Sequence, residues 1–364
     1  MSITFQNLNL PTGLYNLPKR PEDSSLPRDA FELVGTPTAN QIVVKATYKG
    51  MLVQAVVDGN FQYPNGLPTN LADFSAKATG TTTKIETSIN GVVMERTVFS
   101  PGVDAKLENQ AKSSKAAAEI IYSGNDTFIG FKSGKSTAAS DVVDGFGGND
   151  IFYGNGIGEA SDIFYGGSGR DTSVYRGKKA NYTIAPATVW DEYTQKSNLP
   201  GLKVTDKVGI DGSQYLHAVE RLQFTDGTLA FDFQPGENGY KAAMLIGAAF
   251  GAQSVGTFFA PAVQLFDQGK TTAEMAQLVV DLKLIENTIG NTSNKAFVVE
   301  VYENVVGMKP DIFSEAIYIN YLDTGAMSKA QLLTMAASAG LLETQINLTG
   351  LQTTGVFYSG FIGV

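Results

Sequence analysis

One segment of this chain occurs twice. Ala139-Ser-Asp-Val-Val-Asp-Gly-Phe-Gly-Gly-Asn-Asp150 returns 21 residues later as Ala160-Ser-Asp-Ile-Phe-Tyr-Gly-Gly-Ser-Gly-Arg-Asp171. The Ala, the Ser, the first Asp, Gly145 with Gly166, Gly148 with Gly169 and the closing Asp all superpose. A partial earlier copy, Gly124-Asn-Asp126, precedes Gly148-Asn-Asp150 by 24 residues. Self-similarity at a short fixed period marks units that stack on one another, because no single unit can bury its own apolar face. Residues 121–170 also hold 12 of the 39 glycines. Turns built there can use backbone conformations that are costly for any other residue.

The rest of the composition removes several classes of function. The chain has 364 residues, a formal net charge of -9 and no long basic run. It therefore lacks the clustered Lys and Arg that phosphate neutralisation needs, so no nucleic-acid partner is expected. No apolar stretch of about 18 residues occurs, so no transmembrane span is expected. Without Cys, thiol catalysis, disulfides and Cys-based zinc sites are out. The single histidine, His217, leaves no room for an H-E-x-x-H zinc helix, and no G-x-S-x-G elbow occurs.

The chain falls into three zones, and the expected fold is multidomain β plus α. Residues 1–120 read as an antiparallel β domain after a Pro-rich start (Pro11, Pro18, Pro21, Pro27). Strands are predicted over residues 41–48 and 51–57 around Lys49-Gly50, and over 83–89 and 92–99 around Asn90-Gly91, a pair suited to a type I′ turn. The Ala- and Lys-rich stretch 106–118 reads as a short helix. Residues 121–235 contain the repeats and a β-like continuation. Residues 236–364 switch to helical periodicity, with capping-box spacing at Thr271/Glu274 and Ser328/Gln331. A weaker repeat of 56 residues runs through this zone: Phe266-Asp267-x-Gly269-x-x-Thr272 matches Leu322-Asp323-x-Gly325-x-x-Ser328.

Gly145-Phe-Gly-Gly-Asn-Asp-Ile-Phe-Tyr153 and Gly166-Gly-Ser-Gly-Arg-Asp-Thr-Ser-Val174 resemble the nonapeptide G-G-x-G-x-D-x-U-x, the calcium-binding repeat of the RTX or haemolysin-type family. The resemblance implies a short parallel β-roll with calcium between stacked turns, and an apolar residue two places after each Asp packing inside it. Calcium takes six to eight oxygens, so a carboxylate plus inward-facing glycine carbonyls suits it. On this reading Asp150 and Asp171 share the stronger edge, with Gly145, Gly147, Gly166 and Ser168 as carbonyl donors and Gly148 and Gly169 completing the turns. Asp141 and Asp162 share a weaker edge that lacks the glycines, and Asp126 belongs to a partial turn. A metal-free glycine-rich solenoid is the competing reading of the same residues.

Val219-Glu-Arg-Leu-Gln-Phe-Thr-Asp-Gly227 looks like a stretch that often follows RTX repeats. The helical zone is similar to a domain of unknown function that commonly ends secreted RTX proteins, although Gly307-Met-Lys-Pro-Asp311 is only a near match to its G-R-x-P-D form. RTX proteins typically leave Gram-negative cells through type I secretion machinery on an uncleaved C-terminal signal. The uncharged tail, residues 355–364, suits such a signal and equally an ordinary buried strand.

These readings lead to a secreted, calcium-binding, non-enzymatic structural protein of the bacterial cell surface that self-associates into a layer, filament or matrix. The alternatives are an adhesin or glycan-binding module using residues 1–120, and a secreted hydrolase with an unrecognised site. His217 reads as a surface or turn residue, Glu220-Arg221 as a structural ion pair and Trp190 as a loop or core aromatic, in preference to catalytic or sugar-stacking roles. The helical apolar stripes read as a bundle core, with any exposed remainder available as a subunit interface.

Overall fold

A computed structural model describes residues 2–7, 31–48, 51–89, 91–104, 120, 122–130, 142–154, 161–191, 196–209 and 211–359. The predicted helix over 106–118, the Pro-rich stretch and Asp141 lie outside these residues. The chain forms two compact units, Met1–Thr225 and Asp226–Val364. It combines antiparallel and parallel β-structure in the first with a largely helical second.

The first unit opens with β1 (Ser2–Asn7), followed by β2 (Glu32–Leu33), β3 (Gln41–Tyr48) and β4 (Met51–Gln62). Helix α1 (Leu71–Lys77), β5 (Thr79–Ile89) and β6 (Val92–Asp104) complete an antiparallel meander. Alternation puts Ile42, Val44 and Ala46 of β3 and Val53, Val57 and Phe61 of β4 inside. The tight hairpin at Asn90-Gly91 forms as its sequence predicts: Ile89 pairs with Val92, and Gly91 has φ +79°. Strand β4 runs past its expected end through a bulge at Asp58/Gly59. Helix α1 carries no apolar run that betrays it in the sequence. Its start is fixed by the Asn70 side chain, which accepts from the Asp73 N–H, and Phe74 packs edge-on against Phe61 at 5.1 Å.

Beyond β6 the chain alternates between two parallel ladders. Strands β7 (Thr127–Ile129), β9 (Ile151–Tyr153), β11 (Thr172–Val174) and β15 (Arg221–Phe224) form one. Strands β8 (Val142–Asp144), β10 (Ser161–Tyr165) and β14 (Ser213–His217) form the other. Between β11 and β14 a long hairpin, β12 (Tyr182–Asp191) with β13 (Lys196–Asp206), extends the second ladder. Successive visits to one sheet are set by the repeat: Thr127 pairs with Ile151 and Ile151 with Thr172. The interior between the ladders is aromatic. Phe152 and Phe164 stack at 4.9 Å, and Phe128 lies 6.3 Å from Phe164. Strand β1 joins the meander to this coil, pairing antiparallel with β6 and parallel with β7.

The second unit contains a hairpin of β16 (Gly227–Ala230) with β17 (Val356–Tyr358). Its helices are α2 (Asn238–Phe250), α3 (Val255–Asp267), α4 (Thr272–Asp281), α5 (Leu284–Ile289), α6 (Asn294–Val306), α7 (Ile312–Asp323), α8 (Lys329–Ala336), α9 (Gly340–Gln345) and α10 (Leu348–Thr354). Helix α2 is buried almost all round and is the axis of the core. The 56-residue repeat is structural. Asn238 Nδ2 donates to Asp267 Oδ1 at 2.9 Å, and Asn294 Nδ2 to Asp323 Oδ1 at 2.7 Å. Gly251 and Gly307 end α2 and α6 at φ +80° and +81°. Both capping boxes form, at Thr271/Glu274 and Ser328/Gln331. The N-cap matching Ser328 is thus Thr271, not the Thr272 of the sequence alignment, so the second copy carries one extra residue before its third helix.

Stacked turns explain the glycines. Gly148 has φ +113°, and a Cβ there would sit 2.2 Å from the Gly124 carbonyl oxygen. Gly169 has φ +126° and would meet the Gly148 oxygen at 1.9 Å. We expect Gly148→Ala and Gly169→Ala each to destabilise the first unit by at least about 2 kcal/mol, from strained backbone plus backbone clash. Gly209→Ala, at φ +83° in open space, supplies the strain without the clash and is expected to cost about 1 kcal/mol. Chemical denaturation of the three variants measures the difference.

Candidate metal centre

The turns between the ladders carry the regularly spaced acids of the repeat, and the structure stacks them. The Asp126 N–H donates to Asp150 Oδ1 at 2.7 Å, the Asp150 N–H to Asp171 Oδ1 at 2.8 Å, and the Asp171 N–H to Glu220 Oε2 at 2.7 Å. Each carboxylate thus holds the backbone of the turn before it. Beside this column a second one runs in the opposite sense. Asn125 Oδ1 accepts from the Asn149 N–H and Asn149 Oδ1 from the Arg170 N–H, both at 2.8 Å. Asp126, Asp150 and Asp171 are all buried.

Glu220 was legible only as half of an ion pair. In the fold it takes the place of the next aspartate: the Glu220 and Arg221 N–H groups both donate to the Asp171 carbonyl, and Leu222, two residues on, is fully buried. Position 173 departs from the repeat. The residue two places after Asp171 is Ser173, not an apolar one, and its hydroxyl donates to Gln214 Oε1 at 3.0 Å inside the coil.

On the Asp150/Asp171 edge the remaining carboxylate oxygens are candidate ligands. Asp150 Oδ2 and Asp171 Oδ2 are buried and have no hydrogen-bond partner. Such an orphan is costly to leave without a counter-charge. Both oxygens lie against glycine backbone. A Cβ on Gly145 would stand 2.2 Å from Asp150 Oδ2 and 2.7 Å from the Gly166 carbonyl oxygen, and one on Gly166 would stand 2.5 Å from Asp171 Oδ2. Gly147 bridges to Ser168 in the same stack. The carbonyl of Ser168 accepts from the Gly148 N–H and that of Gly145 from the Gly147 N–H, which leaves each a second lone pair. Hard anionic oxygens beside carbonyls are the donor set that calcium takes. Among the described residues no three acidic or histidine side chains group to hold a metal.

The other edge differs. Asp162 lies within β10, buried, and pairs across the ladder with Gln214. A neutral amide therefore stands where the next turn would need a second carboxylate. Gly154 approaches both: its Cβ would meet Gln214 Nε2 at 1.9 Å and Asp162 Oδ2 at 3.2 Å.

Burial pushes the Asp150 carboxyl up to about 8, reinforced by the charges of Asp171, Asp126 and Asp144, although the Asp126 N–H pulls it back. Burial likewise pushes Asp171 up to about 7, against the opposing pull of the Asp150 N–H and Arg170.

The remaining polar candidates are engaged elsewhere. His217 Nδ1 lies 2.7 Å from the Pro200 carbonyl and its ring stands edge-on to Tyr165. Trp190 sits partly exposed in β12, opposite Ser197. Buried Asp211 accepts from the Arg176 N–H, Arg176 Nε and the Tyr182 hydroxyl, which ties the start of β12 to the end of β13.

No protein-family model matches the chain, and no curated protein sequence matches it.

The raised carboxyl values give a pH dependence with a definite sign. Without a cation the folded coil binds more protons than the unfolded chain from about pH 4 to about pH 8. This stabilising contribution is complete below the unfolded value and is lost as pH rises through about 7 and then about 8. In calcium-free buffer, Tm is therefore expected to fall progressively from about pH 4, less steeply above about pH 7, and to level off above about pH 8. Asp150→Asn is expected to flatten that fall. A Tm that rises over this interval would contradict the assignment.

Proposed function

We propose that this chain is a secreted, calcium-binding structural protein of the bacterial cell surface, built around a short β-roll of the RTX type. The observation that carries this reading is the buried column Asp126–Asp150–Asp171, with two carboxylate oxygens left without partners against the backbone of the glycine turns. The alternation of the chain between two parallel ladders at the repeat spacing also supports it. Asp150 and Asp171 would hold the ion together with carbonyls from Gly145, Gly147, Gly166 and Ser168, with Gly148 and Gly169 permitting the turns to close. Asp126 would extend the same edge. Asp162 faces an amide and would bind more weakly. Calcium supplies the positive charge that the buried carboxylates lack.

The chain's own residues do the rest. The two side-chain columns fix the spacing of the turns, and the Phe128–Phe152–Phe164 cluster fixes the distance between the ladders. Extracellular calcium modules bind at roughly 10⁻⁴–10⁻³ M. The coil would then remain open in a calcium-poor cytoplasm, compatible with passage through type I secretion machinery, and close outside. An acidic chain, with a pI near 4.8, also attracts divalent cations to its surface. Self-association into a layer, filament or matrix completes the proposal.

Thermal unfolding with EGTA and with millimolar calcium tests the ion. Wild type is expected to gain stability, about 0.4–1.4 kcal/mol per site, since 1 mM calcium is one to ten times a Kd of roughly 10⁻³–10⁻⁴ M. Asp150→Asn combined with Asp171→Asn should abolish most of that gain while leaving the circular-dichroism spectrum in calcium-free buffer the same as that of wild type. No calcium response in wild type, or an equal response in the double variant, would remove the role assigned to these residues.

A further inference from the structure

Helix α7 (Ile312–Asp323) is apolar on both faces but has only one of them covered. Its inward side, Tyr318, Ile319 and Leu322, packs on the core of the second unit. Its outward side exposes Ile312 at 85 %, Phe313 at 82 %, Ile317 at 51 % and Tyr321 at 40 %, and Met308 just before the helix adds 65 %. A helix that is hydrophobic all round is ordinarily buried all round.

The internal duplication supplies a control within the same molecule. Helix α3 occupies the corresponding place 56 residues earlier, where it buries Phe259, Val263 and Phe266. At the positions matching Ile312, Phe313, Ile317 and Tyr321 it has Gly256, Thr257, Pro261 and Leu265. Folding this helical unit thus does not require large apolar side chains on the outward face. The second copy has a row of them; in the first, Leu265 packs on the core and Phe258, at 40 %, is the one large apolar side chain of α3 left exposed. The row on α7 is therefore available for a contact outside the unit.

We propose that this face is a homotypic interface, occupied by α7 of a second copy of this chain. Three features favour a second copy over another occupant. First, Phe313, Ile317 and Tyr321 are spaced i, i+4, i+8 and form one straight ridge. A two-fold axis through Ile317 sets Phe313 against the partner's Tyr321 and Tyr321 against the partner's Phe313, so the ridge is complementary to itself, as an isologous contact requires. Second, the ridge is a patch of useful size: with about 200 Å² for a large apolar residue, Phe313, Ile317 and Tyr321 leave roughly 350 Å² exposed, within the range of patches that mark interaction sites. Third, the ridge carries no charge, although the chain is at -9 overall. Of the neighbouring acids, Glu315 is paired with Lys295 at 2.6 Å, whereas Asp311 and Asp323 keep their charge on neutral donors and stand at the two ends of the helix, off the ridge. The centre of the contact therefore sets no like charges face to face.

The inference rests on the assembly part of the function proposed above and gives it a first contact. The calcium part lies in the other unit and is read separately. The experiment is sedimentation velocity of the full chain at micromolar concentrations, in millimolar calcium and in EGTA, with Tm recorded on the same samples. Wild type is expected to populate dimers. Phe313→Glu combined with Ile317→Glu should raise the dimer Kd by more than about 100-fold. Thr257→Glu, on the matching face of α3, should leave it unchanged. Because the chain contains no Cys, Ile317→Cys adds a second readout: oxidation should yield a disulfide-linked dimer across the two-fold axis, and Thr257→Cys should not. This readout holds even if the double glutamate variant fails to fold. A wild type that stays monomeric overturns the proposal, and its co-flotation with phosphatidylcholine vesicles would assign the face to lipid. Dimers that persist in the folded double variant without Ile317→Cys cross-linking overturn it as well. Dimers in both buffers with no calcium effect on Tm would keep the α7 interface and remove the calcium reading instead.

Discussion

The coil depends on carboxylates that reach back one turn. Asp150, Asp171 and Glu220 each accept the backbone N–H of the acid that precedes them in the stack. Asn125 and Asn149 do the converse from the other side, holding the backbone of the turn that follows. Strands of three residues cannot stay in register by their own ladder bonds, so these two opposed columns fix the spacing between turns. The cost is electrostatic. A column that uses one oxygen of each buried Asp150 and Asp171 leaves the other oxygen without a partner, and burial keeps both carboxyls from ionising readily. The scaffold therefore sets the problem that a bound cation would solve.

How much of this was legible in the sequence differs by element. The glycine turns and their acids could be read directly, because Gly148 and Gly169 must take positive φ and leave room for the carbonyl of the turn below. The hairpin at Asn90-Gly91 was legible for a similar local reason. Glu220 was not. It lies 49 residues beyond Asp171, across the β12–β13 hairpin and with no glycine turn before it, so no period marks it as the next member of the stack. The Ser173–Gln214 pair was missed because a serine in a run of strand-formers looks like an outward residue until the coil closes over it. Helix α1 rests on an Asn70 cap and one buried ring, Phe74, too little for a periodic signal.

In the second unit, periodicity identified helices but could not say which of their apolar faces would be covered. Helices α3 and α7 descend from one pattern, and the same Asn-to-Asp hydrogen bond anchors each copy. What distinguishes them is which side chains they turn outward. That difference becomes visible only when the two are compared at matched positions, after the duplication has been placed on the fold.

Strand β1 has a consequence for the molecule when the coil is open. It is a strand at which the pairing changes from antiparallel to parallel, with β6 on one side and β7 on the other. Removing β7 leaves the far side of β1 as a row of free N–H and C=O groups next to an otherwise complete meander. Such a rim recruits strands from other chains. Closing the coil is therefore also a form of protection: it seals the seam along which half-folded copies would join in the wrong way.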